Sequence, residues 1–353
     1  MQLLKSNEYV RIDGDRFDVL KFILSLFVIG LHVDFCYPLT HVFRIAVPLF
    51  FIMTSYFFFL RQNNLDTEQA KKNDLKRYCK RILKLYLFWF VLLLPLTIYF
   101  HKWYEGVNLD TLIGFLRSFF FGSTFRASWF LMASLLTIAL VWYLSRKIKT
   151  GVLFAIGIVL YLFCCMTSNY FHLCERIPYF TEFYNGYVSI FDVPCNSFPV
   201  ALIFVLMGKY LAEHPVCVSN KYLWWLVVIL SVTCFAEFYF VWKNRFILSG
   251  DSYFSLPLLS LALFMLIGQN YIKINADTRR LRKYSTIIFC SHFSLGGVIV
   301  LMLQAAFGEI NVFSYDITIL LAFIITVVLC LLLCRFLLWL EKQEHFSWVR
   351  YSH

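Results

Sequence analysis

Residues Phe17 to Tyr37 read FDVLKFILSLFVIGLHVDFCY, an apolar stretch long enough to cross a bilayer as an α-helix. The stretch nevertheless contains Lys21 and His32, and ionisable groups inside a membrane span are costly and usually functional. Because they are eleven residues apart, about three helical turns, both side chains are expected on one helix face, roughly 16 Å apart along the axis. This arrangement suggests one elongated ligand that reaches from a cation at the membrane face to an imidazole deep in the span.

The composition of the whole chain agrees with a membrane protein. It is 60% hydrophobic and only 15% charged, whereas soluble domains are about half apolar and a quarter charged. We therefore predict an all-α, polytopic transmembrane helical bundle that forms one domain over residues 1–353. An amphipathic segment, Asp110 to Gly122, is expected at the interface before the fourth span. Apolar runs of about twenty residues predict ten spans, at residues 17–37, 42–60, 83–100, 129–145, 151–168, 197–213, 222–241, 254–271, 285–305 and 315–338.

A net charge of +11 can indicate a nucleic-acid partner, but the positions of the cations indicate membrane topology instead. The cations fall in short clusters between apolar runs, such as KRYCKR at 76–81, as cytoplasmic loops do. Their asymmetry predicts an even number of spans with both termini in the cytoplasm. The segments predicted to lie outside hold few cations, namely Lys102, Arg117, Arg126, Arg176, Lys243 and Arg245.

The cysteines and histidines show no metal-binding or disulfide pattern. The eleven cysteines have no zinc-like spacing, and several lie within apolar runs, so they are interpreted as small buried hydrophobes. The histidines are scattered without an H-x-x-x-H or H-E-x-x-H motif, so no metal is expected. The polar N-terminus also lacks a small-residue cleavage site, so no cleaved signal peptide is predicted.

The first and third spans contain the clearest candidate residues. His32 is either a histidine hydrogen-bonded within the bundle or a general base that takes a proton from a hydroxyl near neutral pH. Lys21 is either a cation snorkelling to the surface or an anchor for phosphates at the cytoplasmic mouth. Arg81 and Lys84 share a helix face. Lys84 is the deeper of the two and the better candidate for an anionic ligand.

Three further residues are candidates on the outer half. Arg44 lies where the positive-inside rule does not place a cation, so it requires a carboxylate partner, a polar cavity or a substrate. His292 is expected near mid-membrane, and a structural and a functional role are equally open for it. Trp129 is most simply an interfacial anchor.

Five short motifs, in order along nearly the whole chain, resemble the acyltransferase 3 family of integral-membrane acyltransferases. In the motifs of the first and third spans, lysine replaces a family arginine, which keeps the charge but loses the bidentate guanidinium. In the motif of the second span, Thr54-Ser55 replaces a Ser-Gly pair. The motifs are Lys21 with His32 ten intervening residues later, Arg81-x-x-Lys84, Arg44 followed by Val47 to Phe51 (VPLFF), Trp129-Phe130-Leu131, and Tyr284-Ser285 followed by His292.

The resemblance implies a membrane O-acyltransferase that uses cytoplasmic acyl-CoA, expected to be acetyl-CoA, as a donor substrate with no permanently bound cofactor. The acceptor is expected to be a sugar hydroxyl on an envelope polysaccharide or lipid-linked glycan at a bacterial inner membrane, and a homodimer is left open. The implied roles are general base for His32, donor phosphate binding for Lys21, Arg81 and Lys84, and the pore or acceptor side for Arg44, Trp129 and His292.

Two other readings remain. The chain could be a transporter or exporter of a glycan or of acyl groups, because intramembrane charges also line transport paths; such a protein would neither bind nor consume acyl-CoA. A structural scaffold ranks last because it leaves the charged residues in the spans without a purpose.

Overall fold

The computed structural model describes residues 14–33, 35, 40–100, 102–106, 108–125, 127–269, 278–307, 311–312 and 315–353. Within these residues the fold is helical apart from one antiparallel pair of two-residue strands, Asn311–Val312 (β1) and Tyr315–Asp316 (β2). Short 3-10 segments lie at Trp103–Glu105, Pro194–Asn196 and Glu344–Ser352. The α-helices are α1 (Gly14–His32), α2 (Thr40–Phe43), α3 (Ala46–Asn63), α4 (Glu68–Leu92), α5 (Leu94–Phe100), α6 (Leu109–Phe121), α7 (Trp129–Leu144), α8 (Thr150–Met166), α9 (Phe171–Cys174), α10 (Phe180–Phe191), α11 (Phe198–Glu213), α12 (Asn220–Lys243), α13 (Leu256–Gln269), α14 (Arg279–Phe307) and α15 (Ile317–Leu340).

Helices occupy all ten segments that the sequence predicts as spans, and α6 matches the predicted amphipathic segment 110–122. The number of membrane crossings and the location of the termini stay predictions. Five helical stretches of the described chain are long and apolar enough to cross a membrane, namely Thr40–Asn63, Phe180–Glu213, Asn220–Lys243, Arg279–Leu303 and Thr318–Leu340.

The boundaries of several predicted spans differ from the helices: the second span is divided between Phe43 and Ala46, and the helix of the ninth begins at Arg279 rather than at residue 285. The helix of the first span ends at His32 rather than at residue 37, because the chain turns and the Phe35 N–H donates to the Gly30 carbonyl at 2.9 Å; residues 34, 36 and 37 lie outside the described residues. The third span, predicted at 83–100, is two helices. Its first helix begins at Glu68, where the Thr67 hydroxyl caps it, and it ends before Pro95, which disfavours helical backbone just ahead of it.

The tightest packing in the core joins α3 to α11. A Cβ atom added to Gly208 of α11 would lie 2.0 Å from the Ser55 Oγ and 2.4 Å from the Ile52 carbonyl oxygen of α3. Only glycine allows this approach, because any side chain would overlap the facing backbone. The two helices therefore form the closest contact in the centre of the bundle.

Helices α12 and α15 lie at the periphery. Only 17% of the apolar window of α12 and 22% of that of α15 is buried, so most of each helix faces outward. The outward side of α12 is apolar and aromatic, with exposed Trp224, Trp225, Val228, Ile229, Val232, Phe235, Tyr239, Phe240 and Trp242. Such a surface is suited to lipid rather than to water.

The two ends of the bundle differ in their charged residues. At the basic end, defined by Lys21, Arg81 and Arg282, α1 and α14 begin, and Arg282 pairs with Asp18 at 3.3 Å. At the opposite end, called the His32 end, α1 finishes and the α12–α13 loop (residues 244–255) crosses the bundle.

Candidate functional site

A small cavity at the His32 end brings together three residues singled out from the sequence. His32, Arg44 and Trp129 all line it, and its volume is about 80 Å³. Its other polar lining residues are Tyr161, Cys195, Asn196, Asp251 and Ser252. The cavity therefore unites residues of α1, of the α2–α3 junction, of α7 and of the α12–α13 loop, which are distant in the sequence.

Arg44 forms an ion pair with Asp251. It lies in the turn between α2 and α3, and the two side chains are 23% and 24% exposed. The loop that carries Asp251 is fixed by Ser168, which follows α8. The Ser168 Oγ accepts from the Asp251 N–H at 2.9 Å, and the Ser168 carbonyl accepts from the Leu248 N–H at 2.9 Å. From the sequence we predict a carboxylate partner, a polar cavity or a substrate for Arg44. The structure has the first two, namely Asp251 and the cavity.

A part of the Arg44 guanidinium is left available beside the cavity. Its Nη1 contacts Asp251, while its buried Nε has no hydrogen-bond partner among the described residues. A buried N–H without a partner is costly, so it usually serves a ligand or a water. This N–H is therefore a donor that the described residues do not use, on a side chain that lines the cavity.

His32 and His292 lie against each other. Their ring centroids are 5.2 Å apart with the planes 30° apart, and the Phe293 ring is 4.6 Å from the His32 ring. The His292 Nδ1 lies 2.8 Å from the Phe289 carbonyl and 3.1 Å from the Ile288 carbonyl. Because carbonyl oxygens only accept, Nδ1 carries a proton in this arrangement. His292 is 1% exposed, whereas His32 is accessible at the end of α1.

Trp129 begins α7 and packs against α3. Its ring centre lies 6.2 Å from that of Phe51, and Ser128 before it holds the preceding turn by accepting from the Thr124 N–H at 3.0 Å. From the sequence, Trp129 is most simply interpreted as an interfacial anchor. In the structure it is half-buried and forms part of the cavity wall.

At the basic end, two of the three predicted donor-binding residues are neighbours. The Lys21 ammonium lies 5.4 Å from the centre of the Phe57 ring, and it is within electrostatic range of Asp18, Arg282 and Arg81. Arg81 is exposed. Three cations, Lys21, Arg81 and Arg282, lie here with the carboxylates of Asp18 and Asp15, so the local charge is positive by one.

Lys84 has a different environment from the one expected. Its ammonium donates to the Tyr351 hydroxyl at 2.9 Å and lies 4.1 Å from the centre of that ring. The same segment is held by the Trp89 Nε1, which donates to the Ser352 carbonyl at 3.0 Å. Hydrogen bonds from Lys84 and Arg350 lower the pKa of Tyr351 to about 8. Tyr351 therefore uses one of the three N–H donors of the Lys84 ammonium.

Several residues of these sites gave no sequence signal. Asp251 and Cys195 lie in segments between helices without a motif, and Arg282 was one of several cations in a basic cluster. Only the unexplained position of Arg44 indicated that a partner existed. Among the residues that the structure describes, no group of three or more histidine, cysteine, aspartate or glutamate side chains is arranged to hold a metal ion.

A family model described as an acyltransferase domain, Acyl_transf_3, matches residues 15–337. The chain belongs to the acyltransferase 3 family. The match begins with α1 and ends within α15, so it covers both the cavity and the basic end. Together with the long apolar helices, membership of this acyltransferase family identifies the chain as an integral membrane protein.

Two curated relatives of this family member are much longer than the chain. Both are named amino-acid racemase and come from Enterococcus faecalis. One is 27% identical over 213 residues, which is 58% of this chain and 28% of the relative. The other is 24% identical over 307 residues, which is 87% of this chain and 42% of the relative. The chain spans less than half the length of these relatives. No solved structure matches it.

Proposed function

We propose that this acyltransferase 3 protein is an O-acyltransferase that moves an acetyl group from cytoplasmic acetyl-CoA to a hydroxyl of an envelope or lipid-linked glycan at a bacterial inner membrane. The observation that carries the proposal is the arrangement along α1. His32 lines a cavity at one end of the helix, and Lys21 lies in a cationic cluster about three turns away on the same face. The proposal identifies the basic end with the cytoplasmic side.

His32 is proposed as the general base. Its imidazole takes the proton of the acceptor hydroxyl while the oxygen attacks the thioester carbonyl. The tetrahedral intermediate collapses with cleavage of the carbon–sulfur bond, and the imidazolium returns the proton to the departing CoA sulfur. The Nε–H of Arg44 is a donor for the oxygen that becomes negative in the intermediate, because it is held beside His32 without a partner.

The donor phosphates are proposed to bind at the basic end. Lys21 and Arg81 provide charge-assisted hydrogen bonds, and a Lys21–His32 separation of roughly 16 Å suits an extended pantetheine arm. Lys84 joins them through the N–H donors that Tyr351 does not use. The prediction of a donor role for all three cations is retained within this proposal.

The test uses purified protein in detergent with acetyl-CoA and a sugar acceptor. His32→Ala is expected to lower turnover by roughly 10²–10⁴-fold while binding of acetyl-CoA is retained. Lys21→Ala and Arg81→Ala are expected to weaken binding of acetyl-CoA. Lys72→Ala, which removes an exposed cation from the same polar half of α4, is the matched control and should change neither.

Two results would contradict the proposal. Undiminished transfer by folded His32→Ala protein would remove the assigned base. Folded wild type that neither binds nor consumes acetyl-CoA would favour the transporter alternative. The activity in the name of the two relatives is not proposed for this chain, because the matched part covers less than half of each relative.

A further inference from the structure

A second, larger concave site lies at the His32 end, apart from the cavity around His32. It is a surface cleft of about 640 Å³ lined by His172, Trp242, Lys243, Arg245 and Ile247. This volume is in the range of sites that hold small-molecule ligands. The lining contains two permanent cations and no carboxylate. Outside it, the Glu175 carboxylate contacts the His172 Nδ1 at 3.1 Å.

Neither cation of the cleft has a carboxylate partner within the part of the chain that the structure describes. No ion pair between described residues involves Lys243 or Arg245. The nearest interaction of Lys243 is a distant one, with its ammonium 5.7 Å from the centre of the Tyr239 ring. The sequence also counted both residues among the few cations on the side predicted to face outward, where topology does not require them.

The backbone of Arg245 is in a conformation that normally selects glycine. Its φ is +57°, and it ends α12 in a Schellman motif. The Phe246 N–H donates to the Val241 carbonyl and the Arg245 N–H donates to the Trp242 carbonyl, both at 3.0 Å. Glycine is the usual residue at this position because it has no Cβ to strain. A cation at the helix end offsets the macrodipole, which Lys243 already does, so the strained arginine points to a ligand.

The cleft lies where a lipid phosphate would be found. Helix α12 exposes its apolar, aromatic side along its length, and the cleft is at its end, beside Trp242. Tryptophan marks the headgroup level of a bilayer. A phosphate attached to a lipid in this leaflet would therefore meet Lys243 and Arg245 directly.

The cleft is also close to the proposed catalytic cavity. Asp251, the partner of Arg44, follows Arg245 by six residues in one loop, so the two are at most about 20 Å apart. The loop is held by hydrogen bonds within this stretch, because the Phe246 carbonyl accepts from the His172 N–H at 3.1 Å and the Leu248 N–H donates to the Ser168 carbonyl at 2.9 Å. A sugar attached to a phosphate in the cleft could thus extend toward His32.

We propose that this cleft, lined by Lys243, Arg245 and His172, binds the phosphate or pyrophosphate of a lipid that carries the acceptor sugar. The proposal rests on the proposed function, since it gives that transferase a membrane-embedded acceptor. The phosphates anchor the lipid at the end of α12, the lipid chain lies along the outer side of that helix, and the sugar is presented to the cavity.

The experiment measures binding by calorimetry to the purified full chain in detergent. The probes are an isoprenyl pyrophosphate, the isoprenol without phosphate, inorganic pyrophosphate and phosphatidylglycerol. The test variant is the double substitution Lys243→Gln and Arg245→Gly. Its glycine relieves the positive φ, so this helix end should be at least as stable as in wild type. The control is Arg176→Gln with Lys221→Gln, which removes two exposed cations outside the cleft.

We expect the isoprenyl pyrophosphate to bind at least tenfold more tightly than the other three probes. At about 1 kcal/mol per cation near a phosphate, which is about fivefold in affinity, the test variant should bind it roughly 30-fold more weakly, and the control should bind like wild type. Equal binding of phosphatidylglycerol would overturn the proposal in favour of bulk lipid. Equal binding of inorganic pyrophosphate would overturn it in favour of a free-phosphate site. Wild-type affinity in the test variant would place the ligand elsewhere.

The same variants are assayed for acetyl transfer to a soluble sugar acceptor. Transfer that is unchanged in the test variant, together with weakened lipid binding, is the expected result. Lipid binding without any transfer by wild type would contradict the proposed function and leave the cleft intact. Transfer without lipid binding would contradict the cleft alone.

Discussion

The Arg44–Asp251 ion pair allows a quantitative test of how the His32 end is held together. Exposed ion pairs contribute about 0–1 kcal/mol to stability, whereas removing one partner of a buried pair costs about 3–5 kcal/mol. Both side chains are about a quarter exposed, so the pair lies between these limits. We expect Arg44→Met or Asp251→Leu alone to lower the free energy of unfolding by about 2 kcal/mol. In a protein of 353 residues that corresponds to a melting temperature lower by roughly 3 °C.

The double variant distinguishes an ion pair from two independent side chains. Removing both partners leaves no uncompensated charge, so Arg44→Met with Asp251→Leu should cost less than the sum of the single losses, with a coupling energy of about 1–2 kcal/mol. The assay is thermal unfolding of all four proteins in one detergent. As a control, Asp251→Leu is combined with Arg61→Met, because Arg61 pairs with Asp74 near the other end of α3, and additivity is expected there.

Additive losses in the Arg44 and Asp251 double variant would refute the reasoning. The two side chains would then not be coupled, and the loop of Asp251 would not be held to α3 by charge. Loss of acetyl transfer in Arg44→Met would in that case need an explanation other than the position of the guanidinium.

Three further predictions concern other parts of the molecule. Hydrogen bonds from Lys84 and Arg350 lower the pKa of Tyr351 to about 8 from an ordinary value near 10. Wild type should therefore gain stability relative to Tyr351→Phe as the pH rises from about 8 to 10, and lose this advantage below about pH 8. Thermal unfolding of both proteins across this pH range tests the prediction, and parallel pH profiles would contradict it. Gly208→Ala should lower the free energy of unfolding by about 1–3 kcal/mol or more, because its Cβ would overlap α3. The control Gly297→Ala, whose Cβ would have nothing within 4 Å, should melt near wild type. Equal melting temperatures of the two variants would contradict the close packing of α3 and α11. His292→Ala should lower turnover roughly 10–100-fold by releasing the His32 ring while acetyl-CoA affinity is kept, and unchanged turnover would show that the ring contact does not position His32.

Much of the helical fold could be predicted from the sequence, because each helix has its own apolar run. Apolar length fixes where a span lies, and every predicted segment contains a helix. Boundaries were less predictable. The polar first half of α4 continues the helix from Glu68 because a helix that leaves the membrane keeps its hydrogen bonds whatever its hydropathy. The end of α1 at His32 depends on a backbone turn, to which hydrophobicity is insensitive.

The candidate site was only partly predictable. Spacing within one helix predicts the relation of Lys21 to His32, because helix geometry is local. Pairs between distant segments, such as Arg44 with Asp251 and Lys84 with Tyr351, depend on how the helices and loops assemble. In a single sequence such a partner leaves at most an unexplained charge, as Arg44 and Lys84 both do.

The close approach of Gly208 to α3 has a consequence for how a substrate enters. Helix α3 begins just after Arg44, and α11 begins just after Cys195, and both helices contribute residues to the cavity. Another side of the cavity is the α12–α13 loop, which is joined to the loop after α8 by hydrogen bonds to Ser168. Loops move faster than packed helices rearrange, so any enlargement of the cavity for an acceptor should begin at its other sides rather than between α3 and α11.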